Sequence, residues 1–414
     1  LKKVVVRLLP LVVLYLVVVS VYMGRHADLR VDETRYTVFA ENLTEGYYSP
    51  ASRVNLWNGP GYPLVLAPLA AVGAPWAAAR FLNIVFMFLA FLYLYRTLRM
   101  YVSSTLAYVA VYCIGLLPIV IEYLPRLMTE PLSILLMSGL AYHFSKIHRS
   151  GPGTRLHLLA ASGYLGYLAL TKVLFGYVIA AGIIVFLAAF LIRRRRAAAE
   201  SLLVVLLAMA VCVPYLLYTH SLTGKAFYWG NSGGMSIYWM SNPYENEYGD
   251  WLAGVKPWLA REKGKNHIEF LDGLRQYDAV ERDQVLRRTA LKNIREHPGK
   301  FVKNWGCNLG RLFCNYPFSY TPEEPRTYLT LIPGVLIAAL LALTVYPAYV
   351  GRRHIPYEIY ALSVIGLLYI GGNSLLSAYN RMLMPALPVL ALWISFVLGN
   401  LVEPGSFKTG VMST

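Results

Sequence analysis

Hydrophobic positions in this chain run in long, nearly unbroken blocks, not in the two-residue alternation of half-buried strands. The blocks fall near 4–22, 76–95, 102–121, 128–145, 156–172, 173–192, 199–219, 327–350, 357–375 and 383–402. Crossing a bilayer takes about 20 apolar residues in a helix. The pattern therefore predicts an all-α polytopic membrane protein with about ten transmembrane helices, of which the third and fifth are short or interrupted. Three regions follow: a core over 1–219 holding spans one to seven and a first outer loop at 23–75; an extracytoplasmic loop subdomain at 220–326; and three last spans over 327–414.

The two long polar stretches carry local signals of their own. In the first, Tyr36, Phe39, Leu43 and Tyr47 recur at helical spacing, which predicts an amphipathic interfacial helix from Thr34 to about Gly46, with Asp32 placed to cap it. Asn58-Gly59-Pro60-Gly61-Tyr62-Pro63 then reads as a rigid turn leading back to the second span. Asn42-Leu43-Thr44 matches a glycosylation triplet but lies close to the membrane. In the second stretch, the Gly and aromatic residues from Tyr228 to Tyr244 predict tight turns or a loop approaching a ligand closely. Asp278 to about Glu296 reads as an amphipathic helix stopped by His297-Pro298-Gly299. Phe301 to Phe313 reads as a helix with basic and apolar faces lying along the headgroups.

Charge then orients the chain. Lys2, Lys3 and Arg7 precede the first span, and further cations follow the second, fourth, sixth and eighth, among them Arg193 to Arg196. With ten spans and both termini cytoplasmic, all of these fall on the cytoplasmic side, as the positive-inside rule expects. The first span lacks a convincing small-x-small cleavage site and is expected to be retained as a helix. Composition agrees: 57% of residues are hydrophobic and 14% charged. Much of the net charge of +16 is topology signal, so it implies membrane lipids and no nucleic acid as partner. Cys113 and Cys212 fall in spans, and Cys307 and Cys314, on a helix, would lie about 10.5 Å apart along its axis, too far for a disulfide.

The candidate chemistry lies opposite that cationic belt. Asp32-Glu33 follows the first span directly, and acidic residues this close to lipid are costly unless they serve a site; for Asp32 the cap and site readings are compatible. At the same level stand Arg80, Glu122, Arg126, Glu130, Lys172 and Tyr379-Asn380-Arg381. Cations at one depth on the outer side suit a phosphate, which Arg meets with a planar fork and Lys with a compact charge. A carboxylate among them can act as general base on an incoming hydroxyl. A lipid phosphate is already a good leaving group, so one base and a cationic cradle would suffice for inverting transfer of a sugar.

Several short motifs, in this order, resemble the GT-C glycosyltransferases that use polyprenyl-phosphate sugars, the protein O-mannosyltransferase and lipid A aminoarabinose transferase superfamily. They are Asp32-Glu33-Thr34-Arg35-Tyr36, Asn58 to Pro63, Ala79-Arg80-Phe81-Leu82, Arg126 to Leu132 and Leu170-Thr171-Lys172, followed by Asn231 to Pro243, Asn293 to Pro298 and Tyr379 to Pro385. The resemblance implies Asp32 as catalytic base, with Glu33 positioning the base or the acceptor. It also implies a donor phosphate held by Arg80, Arg126, Lys172 and Arg381, and substrate contacts from Tyr36, Tyr62, Glu130, Asn231 and Tyr379. The implied partners are a polyprenyl-phosphate-linked sugar and a lipid, glycan or protein acceptor, in a prokaryotic plasma (inner) membrane with the active site extracytoplasmic. No metal is expected to be obligatory, although a divalent ion stays open. Two departures bear on the sugar and acceptor. Asn58 and Gly59 stand where aminoarabinose transferases often carry a Lys, and the larger C-terminal soluble domain of some relatives is missing. Two rivals remain, a lipid-linked sugar transporter and a non-catalytic GT-C-like subunit. A transporter would be expected to show internal repeats and broken or charged helices at mid-membrane, and neither is visible.

Overall fold

The computed structural model describes residues 2–26, 28–149, 154–252, 262–320 and 325–402. Among these the secondary structure is entirely helical. In chain order come α1 (Lys2–Arg25), α2 (Val31–Thr44), α3 (Gly61–Ala71), α4 (Trp76–Leu98), α5 (Ser104–Gly115), α6 (Pro118–Tyr123), α7 (Thr129–Arg149), α8 (Thr154–Thr171), α9 (Leu174–Arg193) and α10 (Arg196–Thr223). They are followed by α11 (Gly233–Met240), α12 (Lys265–Gly273), α13 (Ala279–Glu296), α14 (Pro298–Cys314), α15 (Pro325–Val350), α16 (Tyr357–Ser374), a 3₁₀ segment (Asn380–Ala386) and α17 (Leu387–Asn400). Each of the ten hydrophobic blocks falls on helix. Six described helices are long and apolar enough to cross a membrane: α1, α4, α9, α10, Leu331–Val350 within α15, and Asn380–Asn400. The protein is an integral membrane protein.

The interrupted third block has a specific cause. Pro118 disfavours helical geometry at the residue before it, and Leu117 sits at φ −56°, ψ 131°. The helix therefore ends at Gly115, and Pro118 opens a new one at its first turn. That break delivers Tyr123 and the following corner to the end of the bundle that carries the start of α2. At the centre stands α7, packed by α4, α8, α16 and α17 and buried along most of its length. Small residues allow this: a Cβ on Gly139 would run into the Tyr164 ring, the close approach that small side chains give membrane helices.

The loop after α1 departs from expectation. Its helix begins at Val31, not Thr34, and the N-cap is Arg30. Asp32 lies inside the first turn and does not cap. Glu33, at the third helical position, accepts the Arg30 N–H at 2.9 Å, so the capping role belongs to the second carboxylate. The turn at 58–63 also leads into an unexpected short helix, α3, which packs on α2. Its glycines let the loop lie on the break between α8 and α9. A Cβ on Gly59 would collide with the Leu170 carbonyl, and one on Gly61 with Thr171. Gly59→Ala is expected to destabilise the protein by ~1–3 kcal/mol, a typical overpacking cost, seen as earlier thermal unfolding.

Between α10 and α15 a second, smaller apolar core forms from Tyr238, Trp239, Leu274, Leu286 and Tyr320. Asp278 caps α13, its Oδ1 accepting Val280 N–H at 2.7 Å and Glu281 N–H at 2.8 Å. Beneath that core Glu247 lies 2.7 Å from His267 Nε2 and accepts from Tyr320 Oη at 2.6 Å. Burial alone would raise the Glu247 pKa, but the hydrogen bonds from His267 and Tyr320 bring it below the usual carboxylate range.

Helix α14 turns a polar face towards the rest of the protein. Its buried stripe is Lys300, Asn304, Asn308 and Arg311, while Val302 and Trp305 are exposed. The stripe is polar because it bonds backbone in two directions. Asn304 Nδ2 donates to the Met240 and Asn242 carbonyls at 3.0 Å each. Asn308 Nδ2 donates to the Ser374 and Leu376 carbonyls at 2.8 and 2.6 Å, and its Oδ1 accepts from Ala378 N–H at 2.9 Å. The outward apolar face suits an interfacial position. Cys307 and Cys314, both on this helix, are free thiols.

Candidate active site

The site is built where four chain breaks meet: the start of α2, the corner after α6, the break between α8 and α9, and the 3₁₀ segment before α17. Irregular backbone at each place frees side chains to point across the bundle end. Arg381 Nη2 is 3.0 Å from Asp32 Oδ2, joining residues 349 positions apart. Arg35 Nη1 stands 3.5 Å from the other Asp32 oxygen. Asp32 is thus held on both sides, yet its side chain stays 36% exposed.

The neighbouring carboxylate has the opposite surroundings. Glu33 is 1% exposed. One oxygen takes the Arg30 N–H, and the other takes the Leu127 N–H at 2.9 Å and faces Arg80 Nη2 at 3.5 Å. Arg80, equally buried, also donates to the His26 carbonyl at 3.0 Å and lies over the Tyr22 ring. This pair braces the start of α2 against the corner that carries Arg126. The same corner is fixed by Asn83 Nδ2, which donates to the Leu124 and Arg126 carbonyls at 2.8 and 2.7 Å.

Two arginines share one aromatic ring at this corner. The guanidinium of Arg126 is 4.6 Å from the Tyr123 ring centre and that of Arg381 is 5.7 Å from it. Stacking on an aromatic face keeps each cation in place while leaving its N–H fork for other partners. Arg126 uses Nη2 on Glu122 at 2.9 Å, and its buried Nε has no hydrogen-bond partner. Lys172, at the break between α8 and α9, meets the fully buried Glu130 at 2.8 Å. Arg381 lies within electrostatic reach of Glu130, Tyr123, Asp32 and Tyr36.

Of the residues singled out from sequence, Asp32, Arg126, Glu130, Lys172 and Arg381 therefore come together, and Glu33 and Arg80 lie beneath them. Tyr36 is buried beside them, accepting from Asn58 Nδ2 at 3.0 Å and packing edge-on to Tyr62 at 5.3 Å. The Tyr62 hydroxyl is buried without a partner. Tyr379 precedes Arg381 and stacks on Phe318 at 6.0 Å. Asn231 sits apart, below the first loop, where its backbone N–H donates to the Leu56 carbonyl. Sequence reasoning missed three residues. Arg35 lay within the acidic motif unremarked, and Tyr123 stood between two noted charges. Asn308, which holds the backbone leading to Arg381, was hidden because buried amides on an amphipathic helix leave no mark in its pattern.

Among the described residues no three of His, Cys, Asp and Glu converge on a point where a metal ion could sit. Around Asp32 the partners are cations and not further ligands, a poor fit to a divalent ion.

The corner and the Lys172 break fall inside a stretch with known counterparts. Residues 58–218 match the family model for dolichyl-phosphate-mannose-protein mannosyltransferase. No curated protein sequence matches the chain. Two solved structures align over 95% of this chain and 77% of theirs: ArnT from Cupriavidus metallidurans bound to undecaprenyl phosphate, at TM-score 0.43 and 14% identity, and the apo state of that protein, at TM-score 0.41 and 15% identity. The stretch that carries Arg80, Arg126, Glu130 and Lys172 is thus the part of this chain, residues 58–218, that is similar to the dolichyl-phosphate-mannose-protein mannosyltransferase family model.

Proposed function

We propose that the protein transfers a sugar from a polyprenyl-phosphate donor to a hydroxyl of a lipid, glycan or protein, on the extracytoplasmic side of the membrane. The observation that carries this reading is the 3.0 Å contact between Asp32 and Arg381. It sets the one well-exposed carboxylate of the cluster beside a cation that shares an aromatic ring with Arg126. The family match over residues 58–218 supports the same reaction class.

In this mechanism Asp32 accepts the acceptor hydroxyl proton as the oxygen attacks the anomeric carbon. The bond from that carbon to the phosphate oxygen breaks, its electron pair stays on the phosphate, and the configuration inverts. Arg126, Arg381 and Lys172 stabilise the charge left on the lipid phosphate, where fixed cations act most strongly. Glu33 and Arg80 position this apparatus. No step runs through a metal.

Donor binding can be tested separately from turnover. Purified protein incubated with a panel of polyprenyl-phosphate sugars is expected to unfold at higher temperature with its own donor, since a ligand present at about 100 times its Kd stabilises by ~2.7 kcal/mol. Arg126→Gln is expected to reduce that shift. A protein stabilised by no member of the panel, and releasing no polyprenyl phosphate, overturns the reading.

A further inference from the structure

A cavity of 1160 Å³ opens between the first outer loop and α13. It is large beside ordinary small-molecule pockets, which run to about 1,000 Å³. Arg35 connects it to the site, because the same side chain that approaches Asp32 lines the cavity wall and lies over the Trp57 ring at 5.2 Å. The proposed transfer reaction itself needs none of the wall on the far side.

Two features of that wall point to a ligand. Asn231 lines it and is 4% exposed, yet neither its Oδ1 nor its Nδ2 has a hydrogen-bond partner. Leaving a buried amide unpaired costs about 1–3 kcal/mol per group. An amide with both ends open matches a sugar diol, whose hydroxyls donate and accept at once; a phosphate oxygen could serve only the donor end. The second feature is charge. The lining carboxylates are already in use: Asp278 and Glu281 cap their own helix, and Asp283 takes the Gly234 N–H at 2.6 Å and Arg287 at 2.8 Å. Arg35 and Arg53 from the first loop, and Lys225 within electrostatic reach of Asp283, supply positive charge to the lining.

Resting on the transfer reaction proposed above, we infer that this cavity receives the acceptor, and that the acceptor is a carbohydrate bearing anionic groups, carboxylate or phosphate. Asn231 meets its hydroxyls, Trp57 contributes apolar wall beside a sugar ring, and the cations hold its charge. A polypeptide fits less well. Its backbone N–H groups need acceptors, and the carboxylates here are taken; nor is there a strand edge for it to join among the described residues.

The test measures binding to the full-length protein without any donor, so it is independent of catalysis. The probes are a short oligogalacturonate, a phosphorylated oligomannoside, neutral oligosaccharides of the same lengths, and a threonine-rich peptide. At least one anionic probe is expected to bind saturably, roughly tenfold or more tightly than its neutral counterpart, and the two anionic arms distinguish carboxylate from phosphate. Asn231→Leu is expected to weaken binding about tenfold without lowering thermal stability, since it removes an unpaired buried amide. A purely structural Asn231 would not give that combination. Arg53→Glu, at an exposed position, is expected to weaken the anionic probe alone. Equal binding of neutral and anionic probes, binding of the peptide only, or no binding overturns the inference. Loss of transfer in Asp32→Asn alongside any of these results would leave the proposed reaction standing and remove only this acceptor.

Discussion

Asp32→Asn is expected to slow sugar transfer by about 10²–10⁴-fold, the usual contribution of a positioned general base. The substitution keeps shape and can keep the contact with Arg381, because the amide oxygen still accepts at the position now 3.0 Å from Nη2. What it removes is the capacity to take a proton from the incoming hydroxyl. Stability should hardly change, since ion pairs at such partly exposed sites are worth ~0–1 kcal/mol. The loss should therefore appear in kcat, with the donor KM close to its original value. Turnover by reconstituted protein, followed as release of polyprenyl phosphate, checks the first expectation, and thermal unfolding checks the second. If the variant transfers at the full rate, Asp32 is no base and its pairing with Arg381 is merely structural.

The helical scaffold was legible because long apolar blocks have one common solution in a membrane. The break in the third block could be read as well, since Pro118 announces it. The site was legible in part: cations outside the expected cytoplasmic belt stand out, and Arg126, Lys172 and Arg381 do come together with Asp32. Position and residue type alone did not separate Asp32 from Glu33; only the family resemblance did, by implying Asp32 as the base. Both are acidic and adjacent, and the helix start was placed three residues late. The N-terminus of α2 gives the capping contact to Glu33, because the third helical position is the one whose side chain can reach back to the cap. The polar stripe of α14 was illegible for a different reason. Its periodicity is that of any amphipathic helix, and which face turns inward depends on the carbonyls of 373–376 that need donors.

Arg80→Met should be the most destabilising single change at this end of the molecule, by about 3–5 kcal/mol. The pair is dry, with side-chain exposures of 2% and 1%, and removing the arginine leaves Glu33 as a buried charge facing only two backbone N–H groups. Those N–H groups keep the carboxylate from turning away to solvent. The direct contact is long at 3.5 Å, so the cost comes less from lost attraction than from stranding the charge. Adding Glu33→Gln should recover much of the stability, because the charge is gone and the amide oxygen can still accept from Leu127. Thermal unfolding of the single and double variants measures this, with Asp32→Asn as the control that should not move. Transfer by Arg80→Met should fall as well, since Leu127 adjoins both Arg126 and Met128, and Met128 Sδ lies 3.9 Å from Arg381 Nη1. Equal unfolding temperatures for the parent and Arg80→Met would show that the pair is no brace, and the positioning role given to Glu33 would go with it. Two neighbouring carboxylates would then differ only in exposure, and the choice of Asp32 as base would rest on its contact with Arg381 alone.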